Sequence, residues 1–226
     1  MEPDRQHSTS ADVYEDMRLG LVIGRFDAGE KLRSEALREQ YDCSASTIRE
    51  VLFRLSSDGL VNFIDQKGFR VPRITLDDLR EIAEMRIMLE CEGAARSIEH
   101  GDIHWEAGLT AAHHKLRHIE HKLRTTGQMG SNVTVWCAAE WEFHRSLISA
   151  CGSDYLLELH RNVYDRFRLG LLTLMKGYAF REKGIEEHEA ILLAALDRDP
   201  VLCAEKIREH LMKNLEEPFV SQYVKS

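Results

Sequence analysis

The sequence predicts a mainly α protein in two parts, an N-terminal winged helix-turn-helix followed by a C-terminal antiparallel all-α helical bundle. Three observations carry that expectation. Between Ser34 and Leu55, two short stretches with helical spacing flank Tyr41-Asp42-Cys43. Directly afterwards, Leu60 to Ile64 and Gly68 to Val71 alternate around Asp65-Gln66-Lys67, as the arms of a hairpin do. From Leu76 on, apolar residues recur with helical spacing in six segments, and no convincing two-residue alternation returns.

The elements follow in order. Residues 12–24 carry Val13, Met17, Leu21 and Val22 on one side, an amphipathic helix suited to packing behind the helix-turn-helix. Ser34 is expected to cap a short helix that buries Leu37, and after the tight turn Ser44 is expected to cap a second helix with Ile48, Val51, Leu52 and Leu55 inward. Asp58-Gly59 stops that helix. Its outer face starts with Ala45, Ser46 and Arg49, and in helix-turn-helix proteins this first turn reaches base edges and phosphates. Arg49, Lys67 and Arg70 would face one partner. The expected contacts to double-stranded DNA are Arg33, Ser44, Ser46, Thr47, Arg49, Lys67, Gly68 and Arg70.

Val71-Pro72-Arg73-Ile74 reads as a linker, dividing the chain into a DNA-binding part, 1–73, and a larger helical part, 74–226, to which the resemblance given below assigns effector binding and dimerisation. Thr75 with Asp78 forms a capping box for a long helix from Leu76 to about Ile98. Gly101, the loop at 125–132, Gly152, the region 176–183 and Asp199-Pro200 separate further helices near 103–124, 133–150, 154–175, 185–197 and 200–215.

Composition narrows the class. The net charge of -8 argues against non-specific binding to polyanions. Residues 1–73 hold 11 Lys and Arg against 13 Asp and Glu, but from Ser44 to Arg73 five basic residues outnumber three acidic ones, so the basic surface is local. The five cysteines, 43, 91, 137, 151 and 203, form no Cys-x-x-Cys pair and suit free thiols in a reducing cytoplasm. A polar N-terminus and apolar runs as short as Leu171 to Met175 and Ala190 to Leu196 indicate neither export nor membrane insertion.

Within the bundle the histidines sort by face. His144 shares its side with Cys137, Trp141, Leu147 and Ile148, with Glu140 one turn earlier; His188 lies with Ile191, Leu192 and Ala195; His210 lies with Cys203, Ile207, Leu211 and Asn214. Three histidines on three helices thus point inward. Each alone is what a satisfied core histidine looks like; together with Glu140 they also fit a divalent metal site, since imidazoles and a carboxylate converge well from separate bundle helices. His113, His114, His118 and His121, among Lys115, Arg117 and Lys122, read instead as a solvated helix face. Arg86 and Glu90 are spaced as an i,i+4 pair.

These segments carry a resemblance. GRFDAGEKL at 24–32, CSASTIREVLFRLSSDGLV at 43–61 and KGFRV at 67–71 match, in spacing throughout, the pattern of the GntR superfamily of bacterial transcription regulators. Ala28 and Thr47 stand where the family has prolines, and Ala45 where it has a DNA-contacting arginine, so a different sequence preference is expected. EMRIMLE at 84–90, EWEFHRSL at 140–147, EHEAILLAAL at 187–196 and EHL at 209–211 resemble the FCD effector domain of its FadR-type branch. The resemblance implies a divalent transition metal (zinc, nickel or manganese) on Glu140, His144, His188 and His210, with Glu140 in place of the family's aspartate, and Arg86 holding a small carboxylate effector by its guanidinium. It also implies a homodimer on a palindromic operator, since a two-fold axis presents two recognition helices. The expectation is a cytoplasmic regulator and not an enzyme. The alternative is a metal-dependent hydrolase built on the same His and Glu set.

Overall fold

The computed structural model describes residues 9–126, 132–175 and 183–215. Residues 1–8, 127–131, 176–182 and 216–226 lie outside it, and with them most of the loops expected at 125–132 and 176–183, although Thr125 and Thr126 belong to a helix. Helix α1 (Ser10–Val22) starts two residues before the expected position because Thr9 and Asp12 form a capping box. The two helices of the turn motif follow as α2 (Ser34–Tyr41) and α3 (Ala45–Ser57). Arg33, not Ser34, is the N-cap of α2 and makes no side-chain cap bond; Ser44 caps α3, accepting from the Thr47 amide. Asp42 takes the left-handed conformation with φ 48°, turning the chain between them.

The wing holds a strand that sequence reading did not anticipate. Strands β2 (Asn62–Ile64) and β3 (Gly68–Arg70) form the expected hairpin, and β1 (Lys31–Leu32) pairs with the other edge of β3, giving the antiparallel order β1-β3-β2. Two residues are too few to show alternation. The register sets Phe63 opposite Phe69 and Lys31 opposite Arg70. Behind this sheet, Val13, Met17 and Leu21 of α1 meet Ile48, Leu52 and Leu55 of α3 in the core of the winged domain.

Among the described residues six helices make the bundle: α4 (Leu76–His100), α5 (Ile103–Thr126), α6 (Val133–Leu147), α7 (Asp154–Met175), α8 (Gly184–Leu196) and α9 (Pro200–Lys213). α4 lies along α7 and α9, while α5 packs on α6 and α8 on α9. Gly170 lets α7 approach α4 closely, since a Cβ there would stand 2.7 Å from Leu79 Cδ1. All five cysteines are free, and among the described residues no helix is long and apolar enough to cross a membrane.

The two parts are joined by more than a linker. Leu169 of α7 is 1% exposed and belongs to the apolar core of the winged domain. Beside it, Arg18 Nη1 of α1 donates to both oxygens of Asp165 at 2.9 and 2.8 Å, and Asn162 Nδ2 donates to the Asp58 carbonyl at 2.9 Å.

Candidate functional site

The centre of the bundle gathers the four expected metal ligands. Glu140 and His144 stand one turn apart on α6, His188 comes from α8 and His210 from α9. One ligand atom of each lies within 4.8 Å of the others, and all four side chains are buried.

Each imidazole has a different carboxylate beside its Nδ1. His144 Nδ1 lies 2.9 Å from Glu90 Oε2 of α4, His210 Nδ1 lies 2.9 Å from Glu187 Oε2 of α8, and His188 Nδ1 lies 3.2 Å from Glu120 Oε1 of α5. The three Nε2 atoms, and Nδ1 of His188 as well, are buried and have no hydrogen-bond partner among the described residues. A carboxylate on one ring nitrogen fixes the proton there, leaving a lone pair on the other, and this is the arrangement of metal-binding histidines. The donor set of three imidazoles and one carboxylate therefore fits a divalent transition ion.

Burial and neighbouring charge keep Glu140, His144 and His210 in ligating form. Burial pushes the Glu140 carboxyl up, but Arg168, His144, Arg86 and His188 outweigh it and bring it down to about 2. Burial lowers His144, and burial with the adjacent His188 depresses His210 to about 3, so both rings are neutral. His188 differs: burial pulls it down, yet Glu120, Glu140 and Glu187 raise it above an ordinary histidine.

Around these donors sits a second, cationic layer. Arg86 is 0% exposed, and its Nε donates to Glu90 Oε1 at 2.6 Å. The pair is thus no surface i,i+4 bridge but a buried one, which changes its energetic weight. Nη1 and Nη2 of Arg86 are buried without a hydrogen-bond partner among the described residues, and the guanidinium lies 4.5 Å from the Tyr164 ring centroid. Tyr164 donates its hydroxyl to Glu140 at 3.0 Å, Arg168 pairs with Glu140 at 3.2 Å, and His160 Nε2 meets Glu90 Oε1 at 2.8 Å. Sequence reading missed this trio from α7. Its i, i+4, i+8 spacing on one helix was the available signal.

One expectation is corrected. His113 is not part of a solvated face: it is 5% exposed, its ring 5.7 Å from that of Phe143, and burial lowers its affinity for a proton. α5 is turned so that Ala112, His113, Leu116 and Glu120 point into the bundle, while His114, Lys115, Arg117 and His118 face solvent.

The second candidate surface is the outer face of the winged domain. Arg33, Ser44, Ser46, Arg49 and Lys67 are exposed there, Thr47 is half-buried, and Gly68, at φ +77°, turns the wing. Arg70 is half-buried, its Nη1 donating to the Gly29 carbonyl at 3.0 Å. Phe53 and Phe63 add exposed rings 5.1 Å apart beside the wing.

Comparison with known proteins matches this architecture. Residues 9–71 fit the family of bacterial regulatory proteins, gntR family, and residues 81–213 fit the FCD domain. The chain is 35% identical over 206 residues to the uncharacterized HTH-type transcriptional regulator BphR of Paraburkholderia xenovorans (strain LB400), covering 90% of this chain and 82% of that protein. It is 28% identical over 218 residues to the HTH-type transcriptional repressor GlaR of Escherichia coli (strain K12), covering 95% and 96%. The solved structure of E. coli McbR/YncC has the same fold, with a TM-score of 0.79 at 24% identity over 96% of this chain and 99% of that one. Such domains and relatives are those of regulators rather than enzymes, which tells against the hydrolase alternative. The chain belongs to the GntR family of bacterial transcription regulators and carries an FCD effector domain.

Proposed function

We propose that the protein is a cytoplasmic, ligand-responsive repressor that binds a palindromic operator as a homodimer through residues 1–73, while residues 74–226 hold a divalent transition metal, a small carboxylate effector and the dimer contact. The observation that carries the effector reading is the convergence of Glu140, His144, His188 and His210 beside two unpartnered guanidinium nitrogens of Arg86. When bound, the ion supplies a fixed positive charge to which a carboxylate is attracted. Arg86 orients that carboxylate through its paired Nη donors, Glu90 holds Arg86 in place, and Tyr164 and Arg168 hold Glu140. The repressor reading follows the relative GlaR. The five free cysteines support a reducing compartment.

Helix α7 supports a route from this site to DNA. One of its faces carries His160, Tyr164 and Arg168 into the bundle centre, while Arg161, Asn162, Asp165 and Leu169 on another face hold α1 and the end of α3. A small rotation of α7 driven from the site would therefore move the winged domain, shifting a two-state population. The test is footprinting on DNA flanking the protein's own gene, with a panel of small carboxylates added to metal-loaded and chelated protein. A protected inverted repeat whose occupancy falls with one carboxylate, in the metal-loaded protein only, is expected. Protection unaffected by every carboxylate would refute the effector reading.

A further inference from the structure

We infer that Glu120 is a positioning residue of the metal centre, an outer carboxylate that holds His188 with Nδ1–H outward and Nε2 toward the ion. This inference rests on the metal reading above. It is carried by an imbalance among the buried acids. Glu140 has Arg168 at 3.2 Å, Glu90 has Arg86 at 2.6 Å, and Glu187 has Lys213 at 3.4 Å. Glu120 is equally buried, at 2% exposure, and among the described residues no lysine or arginine pairs with it. Its Oε1 accepts from the indole N–H of Trp136 at 3.4 Å and lies at ion-pair distance, 3.2 Å, from His188 Nδ1, while its Oε2 is buried without a partner.

A carboxylate sunk in a bundle core without a counter-cation is strongly unfavourable. A core histidine needing one acceptor for its N–H would be served as well by a carbonyl or an amide oxygen. What a full negative charge adds is a stronger imidazole donor on the far side of the ring, and its own neutralisation once a dication sits on Nε2. The same relation holds for Glu90 with His144 and Glu187 with His210, so three outer carboxylates from α4, α5 and α8 surround three imidazoles. Glu120 alone lacks a lysine or arginine of its own.

The test is Glu120→Gln, which keeps the side-chain size and can still accept from His188 through its amide oxygen. Zinc affinity, measured on full-length protein by competition with a chromophoric chelator, is expected to fall about 10–100-fold. The visible absorption of the cobalt(II)-loaded protein should change with it. The metal-free variant should stay folded and melt close to the parent, because the amide keeps the side-chain size and its oxygen still faces His188 Nδ1. Glu120→Asp, which keeps the charge, should lie closer to the parent in affinity. If the parent binds one ion and Glu120→Gln binds it equally tightly, the positioning role is overturned and the metal centre stands. A metal-free Gln variant that is less stable than the parent, or does not fold, overturns it as well, because Glu120 is then a structural hydrogen-bond partner. If the parent takes up no zinc, nickel or manganese on dialysis, the metal reading falls and this inference with it.

Discussion

Replacing His188 by Gln is the most direct probe of the bundle centre. The substitution removes one of four donors while leaving an amide that can still donate to Glu120. In metal-free protein the loss is modest. The imidazole ring lies 5.3 Å from that of Phe143 and 4.5 Å from that of His210, and giving up these ring contacts costs about 1–2 kcal/mol. With metal, the parent gains stability by mass action, about 2.7 kcal/mol when free ion stands at a hundred times its dissociation constant. For a chain of this length that is a rise of roughly 5–11 °C in melting temperature. The variant should melt a few degrees below the parent without metal and should gain almost nothing from zinc, nickel or manganese. Calorimetry of chelated and reloaded protein, paired with elemental analysis, reads both quantities. A parent whose transition is the same with and without each ion refutes the reasoning, as does a variant that rises as far as the parent.

Three further outcomes are expected. Arg49→Ala, on the exposed face of α3, should weaken operator binding by roughly 1–3 kcal/mol in gel shifts at fixed salt and leave the melting temperature unchanged; equal shifts for variant and parent would remove Arg49 from the interface. Ala45→Arg, one residue past the Ser44 cap, should raise affinity and steepen the salt dependence by about one phosphate contact, and an unaltered slope would place residue 45 away from the backbone. Asp165→Asn keeps the shape of the α1–α7 contact but breaks its bidentate pair with Arg18, whose two side chains are 5% and 14% exposed. It should leave metal content and basal DNA affinity intact while blunting the response to an active carboxylate; a full response would show that the signal does not pass through this contact.

What could be read from the sequence was local. Ser44 as a cap, the stop at Asp58-Gly59 and the wing hairpin depend on neighbours a few residues away, and each leaves a pattern. The three inward histidines were visible because helical spacing puts them on apolar stripes. Their outer carboxylates were not, because Glu90 and His144 are 54 residues apart in the chain and an acidic residue in a helix reads as exposed until its partner is known. His113 failed for the opposite reason. Set among charged neighbours, it inherited their apparent face, whereas α5 is rotated by what α6 presents to it, Phe143 above all. Strand β1 and the second working face of α7 are tertiary facts, with no local period to reveal them.

Leu169 bears on how such regulators can be recombined. It belongs by sequence to the effector half, yet it fills the core of the DNA-binding half. Cutting the chain after Arg73 would leave a leucine-sized void in a small domain, and such voids cost about 2–5 kcal/mol. The isolated winged domain should therefore be a poor folder. A hybrid made by exchanging winged domains between relatives would keep Leu169 and would pack badly unless the incoming domain offered a socket for that side chain. Covalent modularity here exceeds physical modularity, and the seam lies through the middle of α7, about a hundred residues downstream of the linker in the chain.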